Sequence, residues 1–461
     1  MYIFATIFNE IVLRFKKNDT MNEKNSKRRY IVPFIVVAAV ALLALIPVDY
    51  ATKAAGGGEI NHADTAWMLV ASALVFLMTP GLAFFYGGMV RYKNLVSTLL
   101  QSFILLGIIS IVWYVVGFSL AFGDSLGGFI GNPLTFLMFK NVGFDPNPAF
   151  AATIPFALYA VFQLKFAIIT PALITGGIAE RIRFSSLLLF VILFSIFIYA
   201  PLAHWTWHPE GFLRKWGVLD FAGGTVVHIS AGFAALSGAM FLGKRKDGGD
   251  SNPTNIPYIL LGAGLLWFGW FGFNAGSALA ADGVAVSAFL NTNLASATAM
   301  VAWLLMDGAR GKKRSAVGAA IAAVVGLVAI TPAAGYVNAG QSIFIGFAAS
   351  LVSYFAVRLK SRSPIDDTLD VFPCHGLGGI VGMILTGVFA EEVGLIHGDP
   401  TVFLYHLLAL VIVGLFTFGG TFLLYKLTDV ILPMRVTELQ EERGLDVTQH
   451  GETATDIQSS F

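Results

Sequence analysis

Between residues 60 and 432 the chain is a succession of eleven apolar stretches, each near the ~20 residues that carry a helix across the hydrocarbon core of a bilayer. They run over 65–90, 95–122, 152–178, 184–204, 221–243, 255–280, 284–306, 315–334, 341–358, 372–390 and 402–431. In lipid every backbone N–H and C=O must find its partner within the protein, so stretches of this length cross as helices. The expected fold is an all-α polytopic membrane protein. Only 12% of the residues are charged, roughly half of the ~25% usual in a soluble domain. The 49 glycines fit the same class, because small residues let helices approach closely.

Loop charge orients the stretches. One set of loops carries Arg91 and Lys93, then Arg181 and Arg183, then Lys244, Arg245 and Lys246, then Arg310, Lys312, Lys313 and Arg314, then Arg358, Lys360 and Arg362. The opposite set holds only Lys140, Arg214 and Lys215. Basic loops stay in the cytoplasm. The first stretch therefore enters from outside, the eleventh ends inside, and residues 433–461 form a polar cytosolic tail, either docked or disordered. Eleven stretches divide into two sets of five plus one. Five is odd, so the two sets have opposite orientations, and an inverted repeat of this kind places a substrate site near the midplane.

Residues 1–55 read as an N-terminal extension with a signal peptide. Lys24 to Arg29 form the basic start, Ile31 to Val48 the apolar centre, and Asp49 to Gly58 the small and polar exit. Met21 would be its start. A retained helix is the alternative, since the apolar run nearly spans. Residues 60–432 then form the membrane domain.

Eight histidines occur, and His228 and His375 are the deep ones. His228 closes the run Asp220-Phe-Ala-Gly-Gly-Thr-Val-Val-His228 in the fifth stretch, and His375 closes Asp370-Val-Phe-Pro-Cys-His375 in the tenth. Gly232 and Gly379 each follow a histidine by four residues, one helical turn on. A single histidine in an apolar helix is usually a satisfied packing residue. Two on matching helices of inverted halves point to a pore, because ionisable groups at membrane depth are kept where they face protein, water or a substrate path. A metal site would need three or four ligands, and no third lies near. A pair of neutral imidazoles can share a proton or hydrogen-bond a small polar solute. Asp220 reads as an N-cap whose charge also biases the outer mouth toward cations. Phe162 with Phe166, and Phe273 with Ser277, lie four apart on single helix faces. Core packing is the ordinary reason for that spacing, and a cation held at an aromatic face is the functional one. The aromatic loop 204–219, with Trp205, Trp207 and Trp216, reads mostly as an interfacial belt. The one cysteine, Cys374, reads as a small buried residue rather than a nucleophile. With no activated nucleophile and no metal set, no enzyme is expected.

Several motifs in fixed order give the chain a family resemblance. They are Phe162-Gln-x-x-Phe166, Ala179-Glu-Arg-Ile-Arg-Phe184, Asp220 to His228, Gly269-Trp-Phe-Gly-Phe-Asn-Ala-Gly-Ser277, Asp370 to Gly376, and Glu442-Arg-Gly-Leu-Asp-Val447 in the tail. From about residue 62 to residue 452 the chain resembles the ammonium transporter family (Amt/Mep/Rh), on its bacterial Amt branch. The resemblance implies a homotrimer in the bacterial plasma membrane with one pore per subunit and the N-terminus outside. It implies an outer recruitment site of Trp207, Ser277 and Phe166 with Asp220 behind it, a gate of Phe166 and Phe273, and His228 and His375 as twin pore histidines. In that picture ammonium binds outside, loses its proton near the gate, and crosses as ammonia, with or without the proton. It further implies a cytosolic P-II signalling partner at a regulatory tail, and no cofactor. An ammonium sensor that signals through the tail or that partner is the alternative. The Asp220, Trp207 and Ser277 features favour the Amt branch over an Rh-like gas channel. Lys165 departs from the family pattern. It stands one residue, about 100° of helical turn, from Phe166, and is expected at a subunit interface or snorkelling.

Overall fold

The computed structural model describes residues 23–49, 51–52, 58–246 and 252–454. The upstream extension and Met21 lie outside the described residues. Helix α1 (Glu23–Leu43) leaves most of its apolar side chains beyond Ile31 exposed and adds little to the core. Just after it, the Asp49 carbonyl accepts from the Asn141 N–H (2.7 Å), and the Thr52 hydroxyl donates to the Asp145 carbonyl (3.0 Å).

Ten described helices are long and apolar enough to cross a membrane. They are α2 (His62–Met89), α3 (Tyr92–Phe122), α4 (Phe156–Ile178), α5 (Phe184–Lys215), α6 (Gly224–Leu242), α7 (Ile256–Ala278), α8 (Gly283–Ala309), α10 (Ala339–Ser361), α11 (Phe372–Phe389) and α12 (Thr401–Ile431). Helix α9 (Ala316–Ile330) occupies the eighth expected place but stops at 15 residues. Pro332 explains the early stop: it has no N–H to continue the ladder, and its ring crowds the preceding turn. The turn that follows is used, because the Pro332 carbonyl accepts from the Phe221 N–H (3.1 Å).

Helices α2 and α7 pack most intimately. A Cβ at Gly262 would run into the backbone of Phe85, so only glycine permits this crossing. The long loop between α3 and α4 holds two short antiparallel ribbons, β1 (Ser125–Leu126) with β2 (Ile130–Gly131) and β3 (Pro146–Asn147) with β4 (Ala151–Pro155). Helix α5 is broken at His208 but runs on through most of the expected aromatic loop. Trp205 there is a buried anchor and not part of a belt. Its Nε1–H donates to the Phe129 carbonyl (2.7 Å), and its ring lies 4.5 Å from that of Phe416.

The tail is docked on the basic face. Ile182 and Arg435 form a β-bridge, and the short helix α13 (Glu438–Arg443) follows. The Asp446 carboxylate accepts from the N–H groups of Val96 (3.0 Å) and Ser97 (2.8 Å), capping the helical segment Leu95–Phe103 from another part of the chain. Beneath the tail, Glu180 is fully buried and bridges Arg91 (2.7 Å) and Arg245 (2.6 Å), while Asp366 takes Arg245 from its other side (2.9 Å). Burial alone would push the Glu180 carboxyl up, but the hydrogen bonds and charges of Arg91 and Arg245 hold it at about 2.

Candidate functional site

Two cavities lie one behind the other. The wider, about 260 Å³, opens on the face opposite the basic loops. Phe162, Gln163 and Phe166 from α4, Trp207 and Arg214 from α5, Asp220 and Phe221 from the loop before α6, Ser277 from α7 and Tyr336 are among its lining residues. The narrower, about 10 Å³, has room for roughly one water-sized molecule. Its walls are apolar side chains such as Ile169, Leu173, Leu266 and Val324, together with His228 and His375.

Local sequence sets each group. Asp220 does what a cap residue does, and more fully than usual. Its Oδ1 accepts from the N–H groups of Gly223 (2.8 Å) and Gly224 (2.6 Å), and its Oδ2 from the N–H (2.7 Å) and hydroxyl of Thr225. The Asp220 carbonyl meanwhile accepts from Trp207 Nε1–H (3.1 Å), which fixes the indole at the cavity wall. Phe166 meets Trp207 edge-on with centroids 5.8 Å apart and lies against Phe273 at 4.2 Å. Both phenylalanines are buried, and their rings separate the two cavities. The Ser277 hydroxyl donates to the Phe273 carbonyl (2.8 Å), which leaves its oxygen lone pairs toward the wide cavity.

Both deep histidines sit in wider, π-type turns, His228 within Gly224–Ile229 and His375 within Phe372–Gly376. Such turns recur at functional sites because they re-aim side chains. The two Nδ1 atoms are 3.4 Å apart, so one ring donates and the other accepts. Trp270 stacks over His228 at 5.4 Å and disposes of its own N–H on the Thr331 hydroxyl (2.9 Å). The Nε2 of His228 is buried with no partner among the described residues. That separates it from the other fully buried histidines. His204 uses both ring nitrogens, on the Ala121 carbonyl (2.9 Å) and Ser125 (2.8 Å). His406 likewise uses both, on the Met383 carbonyl (2.9 Å) and the Leu219 N–H (2.9 Å). Those two are satisfied core residues.

The glycines that follow the deep histidines are spacers. A Cβ at Gly232 would run into the backbone of Gly376, and one at Gly379 would stand 3.3 Å from the His228 Cβ. Gly232→Val is expected to cost about 1–3 kcal/mol by overpacking, read as a lower thermal-unfolding midpoint in detergent. An unchanged midpoint would mean that the two helices have room to spare.

All of the expected site residues line these two cavities. Lys165 lines neither: it is half-buried on the far side of α4, with its ammonium 5.2 Å from the centre of the Phe76 ring. Asp370 is not the counterpart of Asp220. Asp367 stands eight residues before His375, as Asp220 stands eight before His228, and it accepts from the N–H groups of Val371 (3.1 Å) and Phe372 (2.7 Å) at the head of α11. The equal offset was the available signal. Gln163, Arg214 and Tyr336 were missed as cavity residues, and Gln163 Oε1 is buried without a partner among the described residues. Gln163 falls inside the Phe-Gln-x-x-Phe motif, whereas Tyr336 lies in a turn that no periodicity marks.

Known proteins share this architecture. Residues 66–455 match the model of the Ammonium Transporter Family. The chain is 47% identical over 399 residues to an ammonium transporter of Bacillus subtilis, covering 85% of this chain and 98% of that protein. It is 46% identical over 416 residues to one from Aquifex aeolicus, covering 88% and 96%. Among solved structures it is similar to Saccharomyces cerevisiae Mep2, with TM-score 0.81, 34% identity and coverage of 90% and 98%. It is also similar to a structure titled Sensor Amt Protein, with TM-score 0.77, 31% identity and coverage of 84% and 98%. The two cavities, the ring pair between them and the twin histidines thus belong to a multi-pass membrane protein of known kind: the chain is a member of the ammonium transporter family.

Proposed function

We propose that ammonium enters the wide cavity from outside, gives up its proton at the Phe166–Phe273 pair, and passes the narrow cavity as ammonia along His228 and His375. The observation that carries this reading is the ring pair itself, which parts a roomy polar chamber from an apolar one of about 10 Å³. A bare cation cannot give up its water there without a prohibitive desolvation cost, whereas neutral ammonia can. In the wide cavity the faces of Trp207 and Phe166 attract the cation, and the Ser277 oxygen accepts one of its hydrogen bonds. The basic face would lie in the cytoplasm by the positive-inside rule. The eleven-segment inverted repeat, the homotrimer, the cleaved signal peptide and a cytosolic P-II partner at the docked tail belong to the same proposal. Trp207→Leu is expected to raise KM for ammonium about 3- to 30-fold in proteoliposomes, the size of a desolvated cation–π contact. A KM that stays put would remove the recruitment role.

A second reading is an ammonium sensor that binds the ion and signals through its tail. The docked tail and the likeness to the structure titled Sensor Amt Protein favour keeping it.

A further inference from the structure

The vestibule proposed to recruit a cation has a positive charge at its rim. Of the residues lining the wide cavity, only Asp220 and Arg214 carry charge. Asp220 is 5% exposed, and both its oxygens are taken by the Gly223–Thr225 turn. Arg214 is exposed, lines the cavity together with Tyr336, and forms no ion pair among the described residues. Its neighbour Lys215 is different, being paired with Glu210 at 3.0 Å. The field felt by an ion arriving in this chamber is therefore set by a buried carboxylate held by four neutral donors and by a guanidinium that faces water.

We propose that Arg214 is a specificity-determining residue, an electrostatic filter that repels each arriving cation in proportion to its charge and so rejects divalent metal ions more strongly than ammonium. The inference rests on the wide cavity being the recruitment site. Short-range contacts let ammonium bind against this repulsion: the faces of Trp207 and Phe166, the Ser277 oxygen, and the Oε1 of Gln163, which has no partner among the described residues. A hydrated divalent ion gains little from aromatic faces and meets twice the repulsion. Coulomb energy is linear in charge, so a penalty of about 5-fold for ammonium becomes about 25-fold for Mg²⁺.

The test is ammonium-dependent current in proteoliposomes made with full-length wild-type protein, Arg214→Lys, Arg214→Gln and Arg214→Glu. At low ionic strength Arg214→Gln should lower KM about 3- to 10-fold and Arg214→Glu should lower it further, while Arg214→Lys keeps the wild-type value. The differences should shrink at about 1 M salt, where the screening length falls to about 3 Å. Mg²⁺ should compete with ammonium in Arg214→Glu far below the concentration at which it affects the wild type. A KM equal to wild type in Arg214→Gln and Arg214→Glu overturns the filter. So does a raised KM, which would make Arg214 a prop for Tyr336, and so does an Arg214→Lys that behaves like Arg214→Gln. Trp207→Leu run alongside separates the two readings. If it raises KM while the Arg214 variants stay flat, only the filter fails. If neither moves, the recruitment site fails with it.

Discussion

Replacing His228 and His375 together by leucine is expected to abolish ammonium-driven current, a loss of about 10²-fold or more, the usual scale for removing a positioned proton carrier. The side chains are of similar bulk, so the narrow cavity keeps its shape while its only polar walls disappear. With Nδ1 atoms 3.4 Å apart, the two rings stand together in the otherwise apolar wall of the narrow cavity, and on the proposed route a proton would need them as its carrier. Each single substitution should also lose the current if the proton passes through both rings, because the remaining imidazole has nothing to receive from or give to. Ammonia has less need of them. Alkalinisation inside the liposome, which reports ammonia entering without its proton, should appear or increase in the leucine variants. Current at the wild-type level in the double variant would take the proton path away from the histidines.

The second large effect is structural. Glu180→Gln removes the charge that two arginines share in a site with no exposure, and breaking such a buried pair costs about 3–5 kcal/mol. The expected readout is a lower thermal midpoint, with earlier protease cleavage of the tail, since Arg245 also anchors Asp366 and the adjoining Lys246 N–H donates to Glu441. The pH dependence has a definite sign. The carboxyl is depressed from 4.5 to about 2, so its stabilisation is complete above about pH 4.5 and lost as pH falls through about 2. The depression corresponds to about 3 kcal/mol. Wild-type stability should therefore decline from about pH 5 to about pH 2, and that decline should flatten in Glu180→Gln. A variant as stable as wild type, with the same acid profile, would show that Arg91 and Arg245 find other partners.

Much of this architecture is legible from residues because lipid leaves a chain few options. Apolar length and loop charge place the helices, and an ionisable group at depth stands out against that background. His228 and His375 were visible for this reason. The eighth helix was misjudged in length because hydropathy does not register Pro332, which lacks the N–H that the ladder needs. Trp205 was read as a belt residue because depth along the chain says nothing of which way a side chain turns. In the fold it turns inward, where its N–H finds a carbonyl. Asp367 was passed over in favour of Asp370, which stands nearer in sequence to the histidine. The cap is made by the residue one helical turn before the first free N–H groups, and the offset of eight carries that information. Gln163, Arg214 and Tyr336 come together only in three dimensions, from α4, α5 and the turn after α9. No one-dimensional pattern joins them.

The most direct test of the pore is an ammonium pulse on purified protein in liposomes, with current and internal pH recorded together and ammonium binding measured on the same preparation. Transport through the twin-histidine pore gives saturable current or internal alkalinisation. Measurable ammonium binding with neither current nor pH change would contradict transport and leave the sensor.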